Sequence, residues 1–112
     1  MSITLTVPVP PSANTLWKNV SGGGRRRTGG YNSWYEEAGW TINTQKAGKI
    51  RGPYQISIRV PMNARADIDN LVKPIVDLLV KMGVTSDDKM LQAVSICRCA
   101  TAKAAHITVE AA

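Results

Sequence analysis

The chain has 112 residues, 44% of them hydrophobic and 20% charged, and a formal net charge of +6. That suffices for one compact domain over 1–112 and is too little for two. No apolar run approaches the ~20 residues of a membrane span, and the N-terminus lacks the charged-then-apolar order of a secretion signal, so a cytoplasmic protein with no membrane partner is expected.

Ile3, Leu5 and Val7 alternate with Ser2, Thr4 and Thr6, which predicts a half-buried strand that ends at Pro8, Pro10 and Pro11. Next comes "VSGGGRRRTGG", too rich in glycine to hold one conformation without a partner, and a mobile basic loop is expected there. It is no P-loop, because no Gly-Lys-Ser/Thr follows. Two readings stand: a solvated connection, or contact of Arg25, Arg26 and Arg27 with a nucleic-acid backbone, joined by Lys18 and Arg65 as further DNA-binding candidates. Such contacts suit a basic chain, since a positive surface on a small domain favours polyanions, nucleic acid before membrane.

Ser33-Trp34-Tyr35-Glu36 reads as a capping box, and Trp34, Ala38 and Ile42 share a helical face, predicting a helix from Trp34 to about Lys46 with Gly39 inside it. Tyr54, Ile56, Ile58 and Val60 alternate with Gln55, Ser57 and Arg59 as a second strand. A second helix follows from the stripe Leu71, Ile75, Leu78, Leu79 and Met82. Gly83 is placed to end it, and Pro74, tolerated only in a first turn, puts its start close to Asn70. Asp77 and Lys81, four apart in the favourable order, are expected to form an ordinary surface pair. Val94 and Ile96, then Ile107 and Val109, mark two more strands joined by a turn around Thr101–Lys103. The expected fold is α/β (α+β): one domain, about four mostly antiparallel or mixed strands, packed with two helices.

Cys97 and Cys99 project the same way along a strand and are expected to be free thiols; with His106 they match no common zinc spacing. The acidic residues are more informative, since five of the eight are Asp between Asp67 and Asp88. In an extended segment ahead of the helix, Asp67 and Asp69 share a face with Cα atoms ~6.5 Å apart and can converge. Two converging carboxylates repel unless a proton or cation lies between them, and a hard ion such as Mg²⁺ favours oxygen ligands. The bland alternative makes Asp69 a helix cap and leaves Asp67 in solvent. An EF-hand is excluded, because Val72 and Leu78 stand where that loop needs glycine and glutamate. Asp87 and Asp88, in the connection to the next strand, either return beside the first pair or are plain turn residues. Lys73, one turn into the helix, can aim its ammonium at an anion held by a metal, and carboxylates, metal and lysine together describe phosphoryl transfer.

Asp67-Ile-Asp69-Asn70-Leu-Val-Lys73, the apolar helix ending at Gly83, and Asp87-Asp88 resemble the signature of RusA-type Holliday junction resolvases, endodeoxyribonucleases common in prophages. "PPSANTLW" is similar to the family's Pro-Pro-Ser-x-Asn opening, and the likeness spans almost the whole chain. The resemblance implies a homodimeric α/β nuclease of recombination and repair. It would use Mg²⁺, with Mn²⁺ able to substitute and no small-molecule cofactor, to cut four-way DNA junctions by paired symmetric incisions. The metal-binding acids would fall on Asp67, Asp69 and Asp88 with Asp87 beside them, and Lys73 would be the catalytic cation. The chain departs from the family pattern at "NARA", less basic than usual, and at Met90, where Gln often follows the acid pair. The competing expectations are a nuclease for other branched DNA and a DNA-binding protein without catalysis.

Overall fold

The computed structural model describes residues 2–11, 17–19, 25–27, 29–64 and 67–112. Strand β1 (Ser2–Val7) is followed by the short strands β2 (Trp17–Asn19) and β3 (Arg25–Arg27), helix α1 (Gly29–Gln45) and strand β4 (Tyr54–Pro61). A 3₁₀ turn at Ile68–Leu71 leads into α2 (Val72–Lys81), a second 3₁₀ turn spans Asp88–Met90, and β5 (Leu91–Cys99) and β6 (Ala105–Ala111) complete the order.

Four strands form one mixed sheet in the order β1-β6-β4-β5. β6 pairs antiparallel with both β1 and β4, whereas β4 and β5 run parallel, as a strand–helix–strand crossover through α2 requires. The turn between β5 and β6 is therefore not a hairpin: β4 lies between the two strands. The alternations are realised as one buried face, with Leu5, Val7, Tyr54, Ile58, Val60, Ile107 and Val109 all inside and Gln55, Ser57 and Arg59 outside. Both helices cover that face through Trp34, Ala38 and Ile42 of α1 and Ile75, Leu78 and Leu79 of α2, which gives two layers over a single core. Apolar burial on this scale stabilises by roughly 1.5–3 kcal/mol for each large side chain, relative to leaving it exposed.

α1 begins at Gly29, so Ser33 lies inside the helix and is not its cap. The reason is Tyr31, 2% exposed, which packs on Trp34 and Tyr35 with ring centroids 6.0 and 5.7 Å away and carries the buried stripe back by a turn. Trp34 Nε1 donates to the Pro8 carbonyl at 2.7 Å, tying α1 to the end of β1. At the other end of α1, the Gln45 amide accepts from the Thr6 N–H at 2.9 Å and donates to the Thr6 carbonyl at 2.8 Å, closing part of the β1 edge. Gly39 permits close approach of the helices, since a Cβ there would lie 3.3 Å from Met82 Sδ.

α2 ends in a Schellman motif: the Val84 N–H reaches the Leu79 carbonyl at 2.9 Å and the Gly83 N–H the Val80 carbonyl at 3.1 Å, with Gly83 at φ 76°. Among the described residues no helix is long and apolar enough to cross a membrane. Cys97 and Cys99 are free thiols.

Candidate active site

Asp67 is extended and exposed, but Asp69 belongs to the 3₁₀ turn, so the two acids are not on one extended segment as the spacing suggested. The local reason is that Asn70 donates its N–H to the Asp67 carbonyl at 3.0 Å, which curls the chain a turn before α2 proper. The capping alternative is not realised either: Leu71 is the N-cap of α2, and neither helix start carries a side-chain cap bond. Both carboxylates stand exposed ahead of α2.

Asp87 and Asp88 form a tighter pair. The Asp87 carboxylate accepts the Lys89 N–H at 3.1 Å and so caps the second 3₁₀ turn. That backbone bond, followed by the hydrogen bond from Asp88, holds Asp87 below the ordinary carboxylate range. Asp88 is pushed the other way, first by its hydrogen bond to Asp87, then by lost hydration and by the negative charges of Asp87 and Asp77, with Lys73 opposing. The two adjacent carboxyls thus have opposed acidities, and a cation between them would relieve the repulsion that raises Asp88.

Lys73 sits on α2 with its side chain 65% exposed, and its ammonium lies 3.4 Å from Asp77. The expected Asp77–Lys81 pair is therefore replaced by Lys73–Asp77: both lysines lie four residues from Asp77, and the order that favours Lys81 is too weak a preference to decide between them. Asp77 enters the site through this contact and through its charge on Asp88. Tyr54, fully buried at the start of β4, was also missed; burial raises its pKa, the Thr85 hydroxyl opposes that, and the charges of Asp88 and Asp87 add to it. β4 and β5 pair from Tyr54 and Leu91 onward, which is what brings the acid pair beside Tyr54.

The structure thus joins Asp87, Asp88, Asp77 and Lys73 electrostatically, and sets Asp69 on, and Asp67 just ahead of, the turn that neighbours β5. Among the described residues, no three His, Cys, Asp or Glu side chains come close enough to hold a metal ion together. The donor chemistry nonetheless suits a hard divalent ion: the acids offer oxygen alone, and His106 is turned to Thr6 Oγ1 at 3.3 Å on β6.

Of the DNA-binding candidates, Arg65 lies outside the described residues, as does most of the Pro-Pro-Ser-x-Asn opening. In the basic segment, β2 and β3 form a two-stranded ribbon that pairs Trp17 with Arg27, Lys18 with Arg26 and Asn19 with Arg25. The partner strand that glycine content alone could not reveal is the stretch just before the loop.

No curated protein matches the chain. A family model described as Endodeoxyribonuclease RusA matches residues 7–111.

Proposed function

The chain belongs to the RusA endodeoxyribonuclease family, and from that membership we propose that it resolves four-way DNA junctions by paired, symmetric hydrolysis of phosphodiester bonds. The observation that carries the site assignment is the electrostatic link from Lys73 on α2 to Asp88 in the following connection, residues fifteen apart in sequence that the crossover brings together.

Asp67, Asp69, Asp87 and Asp88 are the oxygen donors that would hold Mg²⁺ or Mn²⁺, which requires the two acid-bearing turns to draw closer together than they stand here. When bound, such an ion supplies Lewis acidity at the phosphate and lowers the pKa of water. Lys73 is poised to leave Asp77 for the phosphate, since an exposed ion pair contributes only ~0–1 kcal/mol and gives way to a more highly charged partner. Its ammonium then stabilises the negative charge that grows on the phosphoryl oxygens as the bond to the leaving strand breaks. Asp77 keeps Lys73 aimed until substrate arrives. Arg25, Arg26 and Arg27, with Lys18 and Arg65, are assigned to the DNA backbone on charge and position in the sequence. A homodimer supplies two such sites, one for each of the two equivalent strands of a junction. The protein is assigned to the cytoplasm, where its DNA substrate lies.

The test is incubation with a labelled four-way junction and a linear duplex of matching sequence, in Mg²⁺ or in EDTA. Metal-dependent cutting confined to the junction is expected. Equal cutting of flaps or duplex would assign another branched substrate, and binding without cutting would leave only a DNA-binding protein.

A further inference from the structure

A second feature adjoins the acid pair and has no part in the reading above. The chain after α1 returns along the end of α2: Ile50 forms a parallel bridge with Thr85, and its N–H donates to the Val84 carbonyl at 2.8 Å. Ile50 is buried, so the flanking Lys49 and Arg51 project the other way and are exposed. Together with Gly83, Thr85 and Ser86 they line a cleft of about 260 Å³. Gly83 has no side chain to fill it; a Cβ there would lie 3.6 Å from Lys49 Cε and 3.8 Å from Lys49 Nζ, so the ammonium rests over bare backbone.

Three properties of this cleft point to an oxyanion. Its two cations have no ion pair among the described residues, although the acid pair begins only two positions beyond Thr85. Thr85, 2% exposed, carries a hydroxyl that adjoins the buried Tyr54 hydroxyl, and beyond each other the two have no hydrogen-bond partner among the described residues. Buried polar atoms are nearly always satisfied, and two hydroxyls that have only each other leave one O–H beside the basic cleft without an acceptor. Ser86 adds an exposed hydroxyl at the mouth. The simpler role for Lys49, neutralising the C-terminal dipole of α2, leaves Arg51 and the Thr85 hydroxyl unexplained.

We propose that Lys49, Arg51, Thr85 and Ser86 form a phosphate-binding site that grips a backbone phosphodiester of the DNA strand next to the bond cut at Asp87–Asp88. The placement on a cleaved strand rests on the nuclease reading; the affinity for a phosphate group does not. The two cations offset the repulsion that the acids exert on an approaching strand, and the fixed bridge between Ile50 and Thr85 sets the distance between the gripped phosphate and the carboxyls.

Two measurements, both in EDTA, test it. In the first, inorganic phosphate is titrated at constant ionic strength while amide shifts are followed. Saturable shifts are expected at Ile50, Gly83, Thr85 and Ser86, abolished in Lys49→Gln/Arg51→Gln and weakened several-fold in Thr85→Val, with Lys103→Gln unchanged. Shifts that do not saturate, or that survive in the double variant, overturn the site. In the second, junction affinity is measured against salt, and the double variant is expected to lower the slope by roughly 1.8, two contacts at ~0.9 each. An unchanged slope with intact wild-type binding removes the cleft from the DNA path and leaves the nuclease reading standing. A wild type that binds no DNA sinks the nuclease reading, while the phosphate titration still decides the cleft.

Discussion

Asp87 and Asp88 are neighbours with opposite acidities: the Lys89 N–H favours the charged form of one, and the hydrogen bond to Asp87 favours the protonated form of the other. An acid raised in this way stays protonated at a pH where an ordinary aspartate is charged, so a site that needs both carboxylates loses function on the acid side earlier than usual. Replacing Asp87 with Asn removes the neighbouring charge and offers an amide donor, so the Asp88 pKa should fall; carbonyl-carbon NMR titration of the metal-free protein reads this directly, and an unmoved Asp88 would deny the coupling. Asp69 tests the other turn. With no cap bond to lose, Asp69→Asn should leave stability within ~0.5 kcal/mol, cut Mg²⁺-supported cleavage steeply, and leave junction binding in EDTA equal or tighter, because one charge facing the phosphates is gone. Near-wild-type cleavage would remove Asp69 from the site. The acids were visible in the sequence as a cluster against a basic background. The partner of Lys73 was not, because equal helical spacings leave the choice to the charges around them.

Helix α2 shows what local sequence can decide. Its apolar stripe, its Pro74 in the first turn and its Gly83 fix both ends, and the structure places each where the spacing put it. Gly83→Ala should cost about 1–2 kcal/mol, since φ 76° brings Cβ against the carbonyl; urea denaturation should show a lower midpoint at unchanged m. The strands were equally legible, because one buried face imposes a period of two along β1, β4 and β6. Where tertiary contacts outweigh local preference, the sequence was silent. Tyr31 draws Gly29 and Gly30 into α1 against glycine's poor helix propensity, and β2 gives β3 a partner across a glycine-rich stretch. The pairing of β5 with β4, not with β6, follows from the crossover through α2, a long-range choice that no window of residues contains.

At the scale of the molecule, the sheet has two unlike edges. β1 is partly closed by Gln45, whereas β5 borders solvent along most of its length, with Val94 42% exposed. An unguarded edge and the proposed reaction on two equivalent strands both favour assembly in pairs, and sedimentation should return twice the 12.1 kDa protomer mass for the free protein and two protomers per junction on DNA. A stable monomer in both states would contradict the homodimer. The sheet's order also has a consequence during synthesis. β6, the last strand made, lies in the middle, so Ser2 finds its partner only when Glu110 exists. A ribosome that has delivered β1 through β5 has made no strand neighbour for β1, and the edges of β1 and β4 that β6 will join wait unpaired until residues 105–111 emerge. Nascent chains halted before Ala105 should therefore be cut readily by protease, while chains halted beyond Ala112, on a linker that clears the ribosome, should resist; the nascent protein's exposure to aggregation and to chaperones is set by its final strand.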